Sequence, residues 1–213
     1  MPAERATGPA ERATGAAVVP AGRVAGAAGV LVGRVAGAAV VLAPGGVAAG
    51  VDTRGAPVGT RELDLLDPSA LVQRVHAVVL SEAPSTPNGV VRWLAERGHG
   101  FPVDGGVVPI VCAAAVGGPG EDVGHAACEA AVEVAAPPAV VFVGETAAAV
   151  VVVDAELDKA GCRRVAMSAH DGLVRAGVRV PATVFALATG VATGAPLDAL
   201  CTGAANDVFR AVP

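Results

Sequence analysis

Residues 147–188 read AAAVVVVDAELDKAGCRRVAMSAHDGLVRAGVRVPATVFALA. The opening run, Ala147–Val153, carries no charge and ends in four valines, the pattern of a strand buried on both faces. Asp154 offers a side-chain oxygen to cap a helix, in which Leu157, Val165, Ala169 and Leu173 recur at helical spacing before Gly177. Thr183–Ala188 then returns to a strand pattern. Strand, helix and strand in succession predict an α/β or α+β fold.

The same texture extends in both directions. Downstream, Pro196 stands where a first-turn proline opens a helix, with Leu197, Leu200, Ala204 and Val208 turned inward. Upstream, Val140–Val143 and Val75–Leu80 read as strands, Asn88–Glu96 as a helix closed by Gly98, Val107–Val111 as a strand and Asp122–Ala135 as an alanine-rich helix.

The chain has 213 residues, enough for one domain. It is 53% hydrophobic and 16% charged, so it can bury enough surface to offset its conformational entropy. With 2% aromatic residues it lacks the rings of a single-stranded nucleic-acid platform. A net charge of −5 likewise removes the electrostatic footprint of duplex binding. Lys159 is the only lysine and Ile110 the only isoleucine, which reads as a coding bias.

Residues 1–39 read as a low-complexity leader, disordered in part, ahead of a single domain over 40–213. PAERATG stands at Pro2–Gly8 and again at Pro9–Gly15, and GRVAGAA at Gly22–Ala28 and Gly33–Ala39. These periods are too short for solenoid units. The ten residues between Arg23 and Arg34 fall short of the ~20 of a membrane-spanning helix. Glu4 and Glu11 neutralise Arg5 and Arg12 where a signal peptide needs a positive region. A cytoplasmic protein without membrane contact is expected.

Cys112, Cys128, Cys162 and Cys201 are widely spaced, without C-x-x-C, and read as reduced thiols. His125 and Cys128 form an H-x-x-C pair downstream of Cys112, but nothing nearby supplies a fourth metal ligand. Neither metal nor cofactor is expected.

Several stretches together are similar to one family. They are VVLAPGGVAAGVDTRGAPVGTRELDLLDP at Val40–Pro68, VQRVHAVVLS at Val72–Ser81, GVVRWLAERGHGFPV at Gly89–Val103, VVPIV at Val107–Val111, and RRVAMSAHDGLVRA with TVFALATG between Arg163 and Gly190. On these runs the chain resembles the DmpA-type aminopeptidases, self-cleaving N-terminal-nucleophile amide hydrolases whose relatives include the nylon-oligomer hydrolases. The resemblance implies a four-layer αββα sandwich, incomplete here because the central section is short, and a homo-oligomer acting on small peptide or amide substrates. It also implies that the precursor cuts itself before a Ser or Thr that opens a strand. The corresponding stretch is Gly144-Glu145-Thr146-Ala147, so Thr146 is the candidate nucleophile and Glu145–Thr146 the candidate cut. A threonine hydroxyl is a weak nucleophile at its own pKa, and the freed α-amine, with a pKa of about 7.7–8, can serve as its base.

Three departures from the family pattern imply a weak or inactive enzyme, or a non-catalytic scaffold subunit of the same fold. Where relatives carry a glycine-rich loop, Ser81 leads into Glu82-Ala83-Pro84-Ser85-Thr86-Pro87, and prolines cannot donate backbone N–H groups. Val111–Gly144 contains no counterpart of the Lys and Asn that assist catalysis in relatives. Arg179-Val180-Pro181-Ala182 stands where an Asp-Gly-Asp orients the new amine. The other polar residues read as structural: His76 as a core histidine, His170 and Asp171 as mid-helix residues, and Arg54, Arg61, Glu62, Asp64 and Asp67 as a solvated or interface face.

Overall fold

A computed structural model describes residues 17–20, 29–118, 120–133 and 138–213. The chain begins with β1 (Ala17–Pro20), β2 (Leu31–Val35) and a long β3 (Ala38–Arg54). After β4 (Thr60–Arg61) and a 3₁₀ turn at Leu63–Leu66 come β5 (Val75–Ser81) and α1 (Thr86–Glu96). A hairpin of β6 (Phe101–Val103) and β7 (Gly106–Val108) precedes β8 (Val111–Ala115) and the short α2 (Gly124–Glu129). The remainder is β9 (Val132–Glu133), β10 (Pro138–Val143), β11 (Ala147–Val153), α3 (Lys159–Arg175), β12 (Ala182–Ala188) and α4 (Leu197–Ala211).

Strand β3 belongs to two sheets. Its first half pairs antiparallel with β2 and β5, and its second half with β12. Between them, at Leu42–Val47, the ladder to β5 slips. Pro44 there has no N–H to donate, and Gly46 takes φ 74°, which favours glycine. One sheet therefore runs β1-β10-β11-β12-β3, and the other β3-β5-β8-β4 with β2 and β9 to one side. In the first sheet β11 and β12 are parallel, joined through α3, and β10 pairs antiparallel with β11.

Successive residues of a strand face opposite sides, so each valine-rich strand feeds two cores. Between the sheets Val41, Val78, Leu80 and Ala114 meet Ala148, Val150, Phe185 and Leu187. Outside the first sheet, Ala149, Val151 and Val184 pack on Cys162, Val165, Leu173 and Val208 of α3 and α4. Outside the second, Leu42, Ala77, Val79 and Ala113 pack on Val90, Leu94 and Ala127 of α1 and α2. The result is the four-layer αββα arrangement, thinner on the α1 and α2 side.

Element boundaries differ from the sequence reading where a specific contact overrides local pattern. The strand expected at Val107–Val111 is split by Pro109, and β8 runs on through Ala115. The Ile110 N–H is spent on His76 Nδ1 at 3.1 Å. The helix expected at Asp122–Ala135 shrinks to Gly124–Glu129, because Val132 and Glu133 leave it to pair with Val32 and Leu31. Asp154 does not cap α3. The chain after it stays pinned to the end of β12, with the Gly190 N–H donating to the Ala155 carbonyl at 3.0 Å. The cap is Asp158, whose side chain accepts from the Gly161 N–H at 2.7 Å. The second GRVAGAA copy, Gly33–Ala39, forms the end of β2, its turn and the start of β3, with Gly33, Ala38 and Ala39 buried. The PAERATG repeats and the first GRVAGAA copy lie outside the described residues. Among the described residues no helix is long and apolar enough to cross a membrane.

Candidate active site

Thr146 stands at the start of β11, after the Gly144–Glu145 turn that joins it to β10. The turn is closed by the Gly144 N–H donating to the Thr146 carbonyl at 2.8 Å. Gly144 is needed for a close approach, since a Cβ there would lie 2.7 Å from the Val116 carbonyl oxygen. Thr146 belongs to one sheet, but its polar partners lie at the end of β8 in the other. Its N–H donates to the Val116 carbonyl at 3.3 Å and its Oγ1 to the Ala115 carbonyl at 3.2 Å. The residue is therefore buried at the seam between the sheets, 5% exposed.

The groups around that seam are mostly committed to one another. The Glu82 N–H donates to the Gly37 carbonyl at 2.8 Å, Ala115 N–H to Gly59 at 3.0 Å, and Val116 N–H to Ser81 at 2.8 Å. Ser81 Oγ, fully buried, donates to the Ala83 carbonyl at 2.8 Å. The Glu145 side chain lies over Gly117 and that of Glu82 against Gly37 and Gly118. On the other flank, Ala147 N–H donates to the Pro181 carbonyl at 2.8 Å. Pro181 and Ala182 thus adjoin the start of β11 and offer no carboxylate.

Among the described residues no hydrogen bond joins Thr146 to His76, His170, Asp171 or the charged run. His76 Nδ1 accepts the Ile110 N–H, which makes the ring neutral with its proton on Nε2. Burial, then nearby His99, hold its pKa below the ordinary histidine value. His170 Nδ1 is 2.9 Å from Asp52 Oδ2 but out of line for a hydrogen bond. Burial, with Arg54 beside it, pushes its pKa down against the pull of Asp52. Arg54 itself pairs with Asp52 at 2.8 Å and Asp171 at 3.5 Å. In the charged run, read as a solvated or interface face, Arg54, Asp64 and Asp67 are exposed and Arg61 and Glu62 half-buried; Arg61 donates to Asn88 Oδ1 at 2.6 Å, and Glu62 Oε2 accepts the Val111 N–H at 3.2 Å. Asp67 accepts from Ser69, which lowers its pKa.

The thiols of Cys112, Cys128 and Cys162 are pushed up to about 12 by burial, which keeps them protonated and unreactive. His125 faces Glu96 at 3.3 Å. Among the described residues no group of three or more His, Cys, Asp or Glu side chains could hold a metal ion.

Two features were beyond sequence reasoning. Thr146 is held by backbone carbonyls, which no residue type announces. Lys159, read as compositional accident, is 4% exposed, and its Nζ donates to the carbonyls of Leu65, Asp67 and Ala70 at 2.9, 3.0 and 3.1 Å. The ammonium ties the start of α3 to the loop after the 3₁₀ turn.

No protein-family model matches the chain. Among curated proteins it is similar to uncharacterized aminopeptidases of Mycobacterium bovis and Mycobacterium tuberculosis, 31% identical over 253 aligned positions that take in 73% of this chain and 74% of each relative. That alignment exceeds the 213 residues of this chain, so the relatives carry segments it lacks. An uncharacterized aminopeptidase of Mycobacterium leprae is 42% identical over 107 residues, 44% of this chain and 30% of that protein. Among solved structures, the L-aminopeptidase D-Ala-esterase/amidase of Ochrobactrum anthropi, described as a variant of the Ntn hydrolase fold, superposes with a TM-score of 0.63 at 14% identity over 86% of this chain and 82% of its own. A beta-aminopeptidase of Burkholderia sp. does so with a TM-score of 0.57 at 16% identity, over 92% and 82%. The structural likenesses establish the Ntn hydrolase fold. The mycobacterial similarity, which runs through most of both partners, establishes descent: the chain belongs to the DmpA-type aminopeptidase family.

Proposed function

We propose that the chain is an amide hydrolase acting on small peptide or amide substrates, with Thr146 as a nucleophile uncovered by cutting Glu145–Thr146, and that its turnover is low. In the self-cut the Thr146 hydroxyl oxygen bonds to the Glu145 carbonyl carbon. The bond from that carbon to the Thr146 nitrogen breaks, and the nitrogen takes up a proton. Water then hydrolyses the ester, leaving a Glu145 carboxylate and restoring the hydroxyl beside a free α-amine. That amine accepts the hydroxyl proton when a substrate carbonyl is attacked. The observation that best supports this reading is that the nitrogen and hydroxyl of Thr146 are both held at the seam between the sheets, by Val116 and Ala115.

Low turnover follows from the same surroundings. In the uncut chain the Thr146 hydroxyl gives its hydrogen bond to a neutral carbonyl, which cannot take up its proton, and after the cut Pro181 and Ala182 beside it offer no carboxylate to orient the freed amine. The N–H groups of Glu82, Ala115 and Val116 are already spent and cannot serve a developing oxyanion. A missing general acid or base is worth about 10²- to 10⁴-fold, and one lost oxyanion donor about 10²- to 10³-fold. Losses within one catalytic unit do not simply multiply.

The second reading is a scaffold subunit that pairs with further copies of the chain or with a longer relative. The Thr146–Ala115 bond favours it, since in that reading the hydroxyl is a pin between sheets. Release of a chromogenic amine from amino-acid anilides, measured for the wild type and Thr146→Ala side by side, separates the two. Slow turnover that disappears in the variant supports the hydrolase, and equal traces from both support the scaffold. Turnover like that of efficient enzymes would refute the impairment.

A further inference from the structure

At the opposite end of β11 from Thr146, a strand length of about 20 Å away, lies a cavity of about 330 Å³. It opens at the C-terminal ends of the parallel strands β11 and β12, where the chain leaves for α3 and for the segment after Ala188. Its size is at the small end of the range for ligand sites. Val47, Ala48, Leu157 and Ala188 supply the aliphatic part of a lining that is otherwise polar.

Its charges enter from different segments. Arg74 comes from the segment leading into β5, and Glu156 and Asp158 from the turn leading into α3. Arg74 Nη1 donates to the Gly46 carbonyl at 2.9 Å, which leaves the rest of the guanidinium fork for a carboxylate. Glu156 is exposed and has no partner among the described residues. Behind the lining residue Thr189, whose hydroxyl donates to Asp154 Oδ1 at 2.9 Å, the other oxygen of this buried carboxylate has no hydrogen-bond partner. Lys159 also lines the cavity, but its ammonium is spent on three carbonyls. A plain anion would therefore meet Glu156 and Asp158, and a plain cation would meet Arg74.

We propose that this cavity binds a free aliphatic α-amino acid as its zwitterion, the carboxylate on Arg74, the ammonium towards Glu156 and the side chain against Val47 and Leu157. The site is separate from Thr146 and does not depend on the chain being a hydrolase.

Titration calorimetry of the full chain with L-leucine tests it, against N-acetyl-leucine, which lacks the ammonium, and isoamylamine, which lacks the carboxylate. Saturable heat is expected with leucine, and affinity weaker by about tenfold or more for either analogue, the worth of one charge-assisted hydrogen bond. Arg74→Ala and Glu156→Gln, both at exposed side chains, should each weaken leucine binding by a similar factor, and Thr146→Ala should leave it unchanged. No saturable heat across the solubility range of leucine would overturn the proposal. So would equal binding of all three compounds, or binding lost in Thr146→Ala and kept in Arg74→Ala and Glu156→Gln.

Discussion

Lys159 shows how much one side chain can hold when its charge is buried among carbonyls. Replacing it with Met keeps the aliphatic stem but leaves three acceptors short of a donor, and a buried group so orphaned costs about 1–3 kcal/mol. Lys159→Met is expected to lower the thermal midpoint by several degrees, since 1 kcal/mol shifts a chain of this size by roughly 2–4 °C; an unchanged melting curve would show the tie to be ornamental. His76 carries a pH dependence. Its neutral ring accepts the Ile110 N–H, and burial holds its folded pKa below the ordinary value. The unfolded chain thus binds the proton more readily, so this contribution is fully present above the unfolded pKa of about 6.5 and is lost as pH falls below it. His170 shifts the same way. The urea midpoint should fall between pH 7 and pH 5.5, and His76→Gln, which keeps an acceptor, should flatten that slope. His76 was legible as a core histidine, and it is one; the importance of Lys159 was not legible, because it acts through backbone carbonyls. Thr146 was singled out only through the family-like run around it.

At the scale of elements, the strands of the deciding stretch stand where their valine content puts them. Ala147–Val153 is β11 in full, and Thr183–Ala188 lies within β12, paired in parallel with it. Such runs are legible because burial on both faces leaves no alternative pattern. Boundaries set by tertiary contacts were not. Pro109 could be read as a break only once β8 was seen to continue beyond it, and the alanine-rich α2 gives way to a strand because β2 offers an edge. The capping of α3 separates the two readings by experiment. Asp158→Ala should destabilise the chain by about 1 kcal/mol, the usual worth of an N-cap, with a small loss of helical signal in circular dichroism. No effect at Asp158 would return the cap to Asp154.

For the whole molecule, the long β3 pairs in both sheets and so joins them, and small side chains let four layers close around it. That layering followed from the family-like runs; its physical basis, alternation that feeds a core on each face, is visible only when the strands are paired. The candidate site is the part least legible at this scale, because the seam around Thr146 is built from carbonyls and committed N–H groups rather than from a recognisable set of side chains. The most direct test is the intact mass of the purified full-length chain and of Thr146→Ala, followed over days at neutral pH. The wild type should divide, slowly, into two fragments, the second beginning at Thr146, while the variant stays whole. A wild-type chain that never divides, or a variant cut at the same bond, would contradict the assignment of Thr146 as the nucleophile.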